Sequence, residues 1–197
     1  METIKLGVLY VHLLTVCFAL AAVLTADRRL WHWRHRPLDE QRRRYLERTT
    51  RQVVQLLVLL WGTGLMLVLL GYSKQGAHYL ANPKLWAKFS VVLVLSANGW
   101  LLHRLAFPVL SLRLPLIGLP LPERMTVGAL GAVSMISWLF AGLLGIAREW
   151  NYREPFARIM GLYLLLLILA IGGALAMLAL AEAGLLSRPE RPNRLLR

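Results

Sequence analysis

Charged residues are almost missing from five long stretches of this 197-residue chain. Acidic residues are scarce throughout, with 10 Asp and Glu against 23 Lys and Arg. Apolar residues make up 57% and charged residues 17%, and the mean hydropathy is +0.55. A soluble domain is about half apolar and a quarter charged, so an ordinary soluble fold is excluded. A single cysteine, Cys17, rules out an intrachain disulfide and leaves the redox compartment unspecified. Within an apolar run it needs no special role. No phosphate-cradling glycine loop, Cys/His zinc spacing or serine-nucleophile motif occurs, and the six methionines are scattered rather than clustered for copper. Proline avoids the interiors of the apolar stretches. Pro37, Pro83, Pro115, Pro120, Pro122, Pro155, Pro189 and Pro192 fall in connections and Pro108 at the end of the third stretch, as the lost hydrogen bond and ring clash of a mid-helix proline require.

What is present is five apolar runs, at residues 6–25, 53–72, 85–107, 126–147 and 159–181. Each approaches the ~20 residues a helix needs to cross the hydrocarbon core. The expected fold is all-α: a single membrane domain over 1–197, an integral bundle of five transmembrane helices with short loops and an arginine-rich connection at 26–52. The formal net charge of +13 does not point to nucleic acid, because the basic residues sit at span ends rather than on a soluble surface.

Their distribution orients the chain. Arg28, Arg29, Arg34, Arg36, Arg42, Arg43, Arg44, Arg48 and Arg51 follow the first span; Arg104, Arg113 and Arg124 follow the third; Arg188, Arg191, Arg194 and Arg197 end the chain. The other side has only Lys5, Lys74, Lys84, Arg148, Arg153 and Arg158. The positive-inside rule puts the larger set in the cytoplasm, the N-terminus outside and the C-terminus inside. The first span is expected to stay in place rather than be cleaved as a signal peptide. Glu2 offsets Lys5, His12 interrupts the apolar run, and cleavage would leave nine arginines at the head of an exported segment.

Trp31, Trp33, Trp86 and Trp150 fall at span ends, where aromatic belts form. Asp39 after Pro37 is placed to cap the second helix, with Glu40–Arg44 and Glu47–Arg51 in the favourable i,i+4 order. Continuous from Asp39 to Tyr72, that helix is about 51 Å long and projects into the cytoplasm. Its basic face, with Arg42, Arg43, Arg44 and Arg48, suits anionic lipid or a protein partner. Gly128, Gly131, Gly142 and Gly145 in the fourth span, and Gly161, Gly172 and Gly173 in the fifth, suggest close helix packing.

Ionisable groups in spans are costly and so are candidates for function. His12 and Asp27 lie on the first span, Lys88 and His103 on the third, each pair 15 residues apart. That spacing leaves an offset of ~60° and ~22 Å of rise, so each pair shares a helix face. The two spans run in the same direction, which matches His12 with Lys88 in the outer leaflet and Asp27 with His103 near the inner ends. Asn98 and Ser96 lie between on the third span and can extend a polar path for protons or ions. Each residue also has a plain reading: Lys88 snorkelling to headgroups, Asp27 and His103 at the interface, His12 as a hydrogen-bonded structural histidine. His12 and His103 occupy different depths and cannot ligate one metal together.

The early histidine in "LYVHLL" and the lysine Lys88 in "NPKLWAKFSVVLVLSANGWLLH" resemble the CopD/HemJ-like group of small bacterial multi-pass membrane proteins, over about the first 110 residues. The resemblance implies a few-span bundle, with haem binding and protoporphyrinogen oxidation in HemJ-type members and copper handling in CopD-type members. For this chain it implies a haem b or porphyrin site at His12 and Lys88 in a bacterial inner-membrane protein. Two other readings stand beside it: a small transporter or accessory subunit using Asp27, Asn98 and His103 as a path, and a structural or assembly protein whose basic helix binds a partner. Membrane lipids are the expected partners. A protein at the cytoplasmic face and a second copy of the chain are further candidates, and whether the chain is an enzyme stays open.

Overall fold

The computed structural model describes residues 2–112 and 114–185. Arg113, Arg188, Arg191, Arg194 and Arg197, which entered the charge count, and Pro189 and Pro192 lie outside the described residues. Among the described residues the regular elements are all helical: α1 Glu2–His32, α2 Glu40–Gln75, α3 Ala77–Leu80, α4 Pro83–Leu101, α5 Phe107–Leu110, α6 Leu121–Ile146 and α7 Phe156–Glu182. Five helical stretches are long and apolar enough to cross a membrane, α4 and α5 counting as one from Pro83 to Leu110.

Local sequence explains the ends. The Asp39 carboxylate accepts from the Arg42 amide at 2.8 Å and starts α2, and Asn82 starts α4 by accepting from the Lys84 amide at 3.1 Å. Glu40 pairs with Arg44 at 2.8 Å as its spacing predicts. Glu47 does not pair with Arg51; it turns back to Arg43 at 2.7 Å, because Arg43 bridges Glu40 and Glu47 together. Pro108 leaves its mark one turn upstream. It has no amide to donate and its ring crowds the carbonyl four residues before it. The chain widens there into a π-turn over Leu102–Ala106, where the Phe107 amide bonds the Leu102 carbonyl.

α6 is the centre of the bundle. α1 packs on α2 and on α6, while α4 and α7 pack on α6 and on each other. Ala87, Val91, Phe140, Leu144, Ile159 and Tyr163 form one core among α4, α6 and α7. Ala19, Val23, Leu60, Leu95 and Trp138 join the α1–α2 hairpin to α4 and α6. A third core around Leu46, Ala106, Leu110 and Val127 closes the arginine-rich end. The outward surface is apolar: Val58, Leu69 and Ile168 are 67%, 68% and 68% exposed. Leaving such side chains in water forgoes about 1.5–3 kcal/mol each, so a surface of this kind belongs against lipid or another apolar partner.

The glycines divide into two groups. At Gly128 a methyl group would stand 2.6 Å from Leu178 Cδ1, so this glycine does allow α6 and α7 to approach closely. At Gly131, Gly142, Gly145, Gly161, Gly172 and Gly173 a methyl would meet nothing within 4 Å. Close packing, expected for all of them, therefore does not account for these six.

Two basic residues counted as topology charges are structural ties. Lys84 is 2% exposed, and its Nζ donates to the Ala147 carbonyl at 2.5 Å, fastening the start of α4 to the end of α6. Arg124 donates to the Ile117 carbonyl at 2.9 Å and pairs with Glu182 at 2.5 Å, joining the start of α6 to the end of α7. Lys84→Met keeps the stem but removes the charged donor, leaving the Ala147 carbonyl only the Trp150 amide at 3.2 Å. It is expected to cost about 1–3 kcal/mol in unfolding of the purified protein, whereas Lys74→Met, which breaks an exposed pair with Glu2, costs under about 1 kcal/mol. Equal effects of the two variants would contradict the assignment of Lys84.

Candidate functional site

Two cavities lie in one seam, between the α1–α2 hairpin on one side and α4 with α6 on the other. The first, about 270 Å³, is nearer the arginine-poor end and is lined by Lys5, His12, Leu60, Trp61, Gly64, Tyr79, Lys88, Phe89 and Gly142 among others. The second, about 140 Å³, is nearer the arginine-rich end and holds Asp27, Thr49, Thr50, Gly99, Gly131, Ser134 and Trp138. The buried residues Leu60, Leu95 and Trp138 belong to the apolar cluster between them. Leu60 lines the first cavity and Leu95 and Trp138 the second. Missing side chains make room in both: Gly142 and Gly145 border the first, and Gly99 and Gly131 the second, with no atom within 4 Å of where a methyl would stand.

His12 and Lys88 thus line one cavity, as their matched depths anticipate. The His12 ring is held from α2: its Nδ1 lies 2.8 Å from Thr63 Oγ1. That hydroxyl has one hydrogen, and the Leu59 and Leu60 carbonyls, 2.8 and 3.3 Å away, are placed to take it in the usual back-bond of a helical threonine. Thr63 therefore accepts, His12 donates from Nδ1–H, and Nε2 carries the lone pair. Fixing one ring nitrogen by a hydrogen bond is how proteins present the other to a ligand. Gly64, one residue on, faces His12 Cε1; a methyl there would sit in ordinary contact at 3.5 Å.

The rest of the first cavity combines aromatic walls with cationic groups. Trp61 and Phe89 lie 5.9 Å apart between ring centres, and Trp61 Nε1 donates to Ser96 Oγ at 3.2 Å, which donates onward to the Val92 carbonyl at 2.8 Å. Tyr79 comes from α3 and takes the space that Gly71 leaves beside it. Burial pushes its phenol above the ordinary value, so it stays a neutral hydroxyl. Lys5 and Lys88 provide two ammonium groups. Apolar walls with a few polar groups of fixed orientation are the general form of a small-molecule site.

The remaining residues singled out in the sequence are dispersed. Asp27 lines the second cavity, but His103 is exposed on the π-turn and borders a separate recess with Arg43 and Glu47. The expected Asp27–His103 cluster does not form: the two residues line different recesses, and α1 packs on α2 and α6 rather than on α4. Asn98 lines neither cavity. It is 3% exposed and donates from Nδ2 to the Leu130 carbonyl at 3.1 Å, tying α4 to α6. A continuous path through Asp27, Asn98 and His103 is therefore absent from this arrangement. On the basic helix, Arg42 lies over Trp33 and beside Asp39, while Arg43 and Arg44 are held by Glu40. Arg48 stays exposed with no ion pair among the described residues.

Three contributors went unread in the sequence. Thr63 resembles any helical threonine and comes 51 residues after His12. Lys5 was counted only as a flanking charge, although seven residues, about two turns, put it on the same helix face as His12. Lys84 carried a legible signal: its i,i+4 spacing to Lys88 puts both on one side of α4. No protein-family model, curated protein or solved structure matches the chain, so the site rests on its own residues.

Proposed function

We propose that the chain is a multi-pass inner-membrane protein, N-terminus outside, that holds a haem b or related porphyrin in the first cavity. The observation that carries this reading is a cavity lined by both His12 and Lys88, with the His12 Nδ1–H occupied by Thr63 and the lone pair left on Nε2. A porphyrin has a flat apolar body and two carboxylates. Trp61 and Phe89 suit the body, the ammonium groups of Lys5 and Lys88 suit the carboxylates, and His12 Nε2 suits the iron. No second histidine lines the cavity, so one protein imidazole is the whole histidine contribution. When bound, haem supplies one-electron redox chemistry; the chain's own residues bind it, orient it and exclude water. The resemblance to the CopD/HemJ-like group supports the same assignment.

A second reading has its own observation. Arg44, Arg48 and Arg51 recur on one exposed side of the first turns of α2, a face suited to an anionic surface or an acidic partner at the cytoplasmic side. It makes His12 dispensable.

The two readings separate on an absorption spectrum. Detergent-purified protein from haem-replete cells, or protein supplied with haemin, is expected to show a Soret band that His12→Ala removes. Gly142→Leu, which fills the cavity without touching a polar group, should prevent uptake. Lys88→Ala should weaken it roughly tenfold or more, the loss of one charge-assisted hydrogen bond. A colourless protein that cannot take up haemin contradicts the porphyrin reading. If charge reversal at Arg48 and Arg51 then abolishes a co-purifying partner while His12→Ala does not, the second reading gains.

Orientation has a separate check. In a Cys17→Ala background, a membrane-impermeant thiol reagent added to intact cells is expected to label Gln75→Cys, and to label His35→Cys only after permeabilisation. The reverse pattern contradicts the arginine-based topology.

A further inference from the structure

Helical hydroxyls in this protein almost all spend their hydrogen on a carbonyl one turn back. Thr15, Thr25, Thr63, Ser90, Ser96 and Ser137 each do so. Thr50 and Ser134 make no hydrogen bond to another described residue, and both line the second cavity. Asp27 lines it too, and its carboxylate has no hydrogen bond or ion pair among the described residues. The nearby arginines do not serve it. Arg28 is its chain neighbour, and i,i+1 side chains do not face each other on a helix. The Arg29 guanidinium lies 4.2 Å over the Tyr45 ring instead. Thr49, the other hydroxyl in the lining, donates to the Tyr45 carbonyl at 3.0 Å.

Three unspent oxygen-bearing groups therefore border one small cavity whose other walls, apart from the spent hydroxyl of Thr49 and the indole of Trp138, are apolar, including Leu57, Leu95 and Phe107. A carboxylate in such a place is costly without a counter-charge. We propose that the second cavity binds a primary ammonium group carried on an apolar body. An ammonium has three N–H donors and no acceptor, which matches the Asp27 carboxylate and the Thr50 and Ser134 hydroxyls in both number and sense. The apolar walls receive the hydrocarbon. A bare metal ion fits less well: hard cations such as calcium take six to eight oxygens, and only Asp27, Thr49, Thr50 and Ser134 bring side-chain oxygens to this lining. The ammonium can belong to a free alkylamine or to an aminophospholipid headgroup. The site is independent of whether the first cavity takes a porphyrin.

The test uses full-length protein in phosphatidylcholine nanodiscs, equilibrium dialysis with tritiated hexylamine, and empty nanodiscs to subtract partition into lipid. The expected result is saturable binding at one site per chain, with hexanol of the same length unable to compete. Asp27→Asn, which keeps the shape but removes the charge, should weaken binding at least tenfold. Gly131→Leu keeps Asp27 and fills open space in the cavity wall, and should have a similar effect; it decides the matter if Asp27→Asn does not fold. Phosphatidylethanolamine in the nanodisc lowers hexylamine binding if the natural source is a lipid headgroup and leaves it unchanged if the source is a free amine; either supports the site. Absence of saturable binding to the wild type, competition by hexanol equal to that of hexylamine, or unchanged binding in both folded variants overturns it.

Discussion

Where apolar side chains surround a polar group, no water completes its hydrogen bonds, so it has to find partners within the protein. Most of the tertiary structure can be read as the answer to that demand. Lys84 reaches the Ala147 carbonyl and Arg124 reaches Glu182, tying helix ends. Asn98 bonds Leu130 across α4 and α6, and Ser137 meets Tyr163 at 2.7 Å across α6 and α7. Each tie crosses between elements distant in sequence. The hairpin of α1 and α2 is joined in the same way, by His12 to Thr63. Against that background stand groups with no partner of their own: Nε2 of His12, which lines the first cavity, and Asp27, Thr50 and Ser134, which line the second.

The cavities persist because α6 presents glycine where a side chain would otherwise fill the seam. Gly142 and Gly145 serve the first space and Gly131 the second, with Gly99 of α4 opposite. α6 meets α7 differently, through Gly128 against Leu178. One helix thus packs closely on its α7 side and loosely on the side of the seam. One apolar cluster contributes Leu60 to the wall of the first space and Leu95 and Trp138 to the wall of the second.

The five long apolar helices and the cap of α2 were legible because they depend on nearby residues: uninterrupted apolar runs, Asp39 before a polar helix start, and prolines kept out of the run interiors. The shared level of His12 and Lys88 was also legible, since two spans of like direction can be compared turn by turn. What depended on remote packing was not. Glu47 chose Arg43 over Arg51 because Arg43 also serves Glu40. His103 and Asp27 line different recesses because α1 packs on α2 and α6 rather than on α4. The glycines of α6 looked alike in sequence and differ only in what stands across from them. Thr63, which fixes the candidate ligand, could be found only once the hairpin was closed.

The account turns on the protonation of one ring nitrogen. Solid-state nitrogen-15 NMR of histidine-labelled protein in lipid bilayers, with His12→Gln to assign the signal, reads it directly. The prediction for the ligand-free protein is a neutral His12 protonated at Nδ1 and bare at Nε2, with Thr63→Val abolishing that preference. A wild-type His12 protonated at Nε2, or unaffected by loss of the Thr63 hydroxyl, would contradict the claim that the hairpin presents this histidine as a ligand.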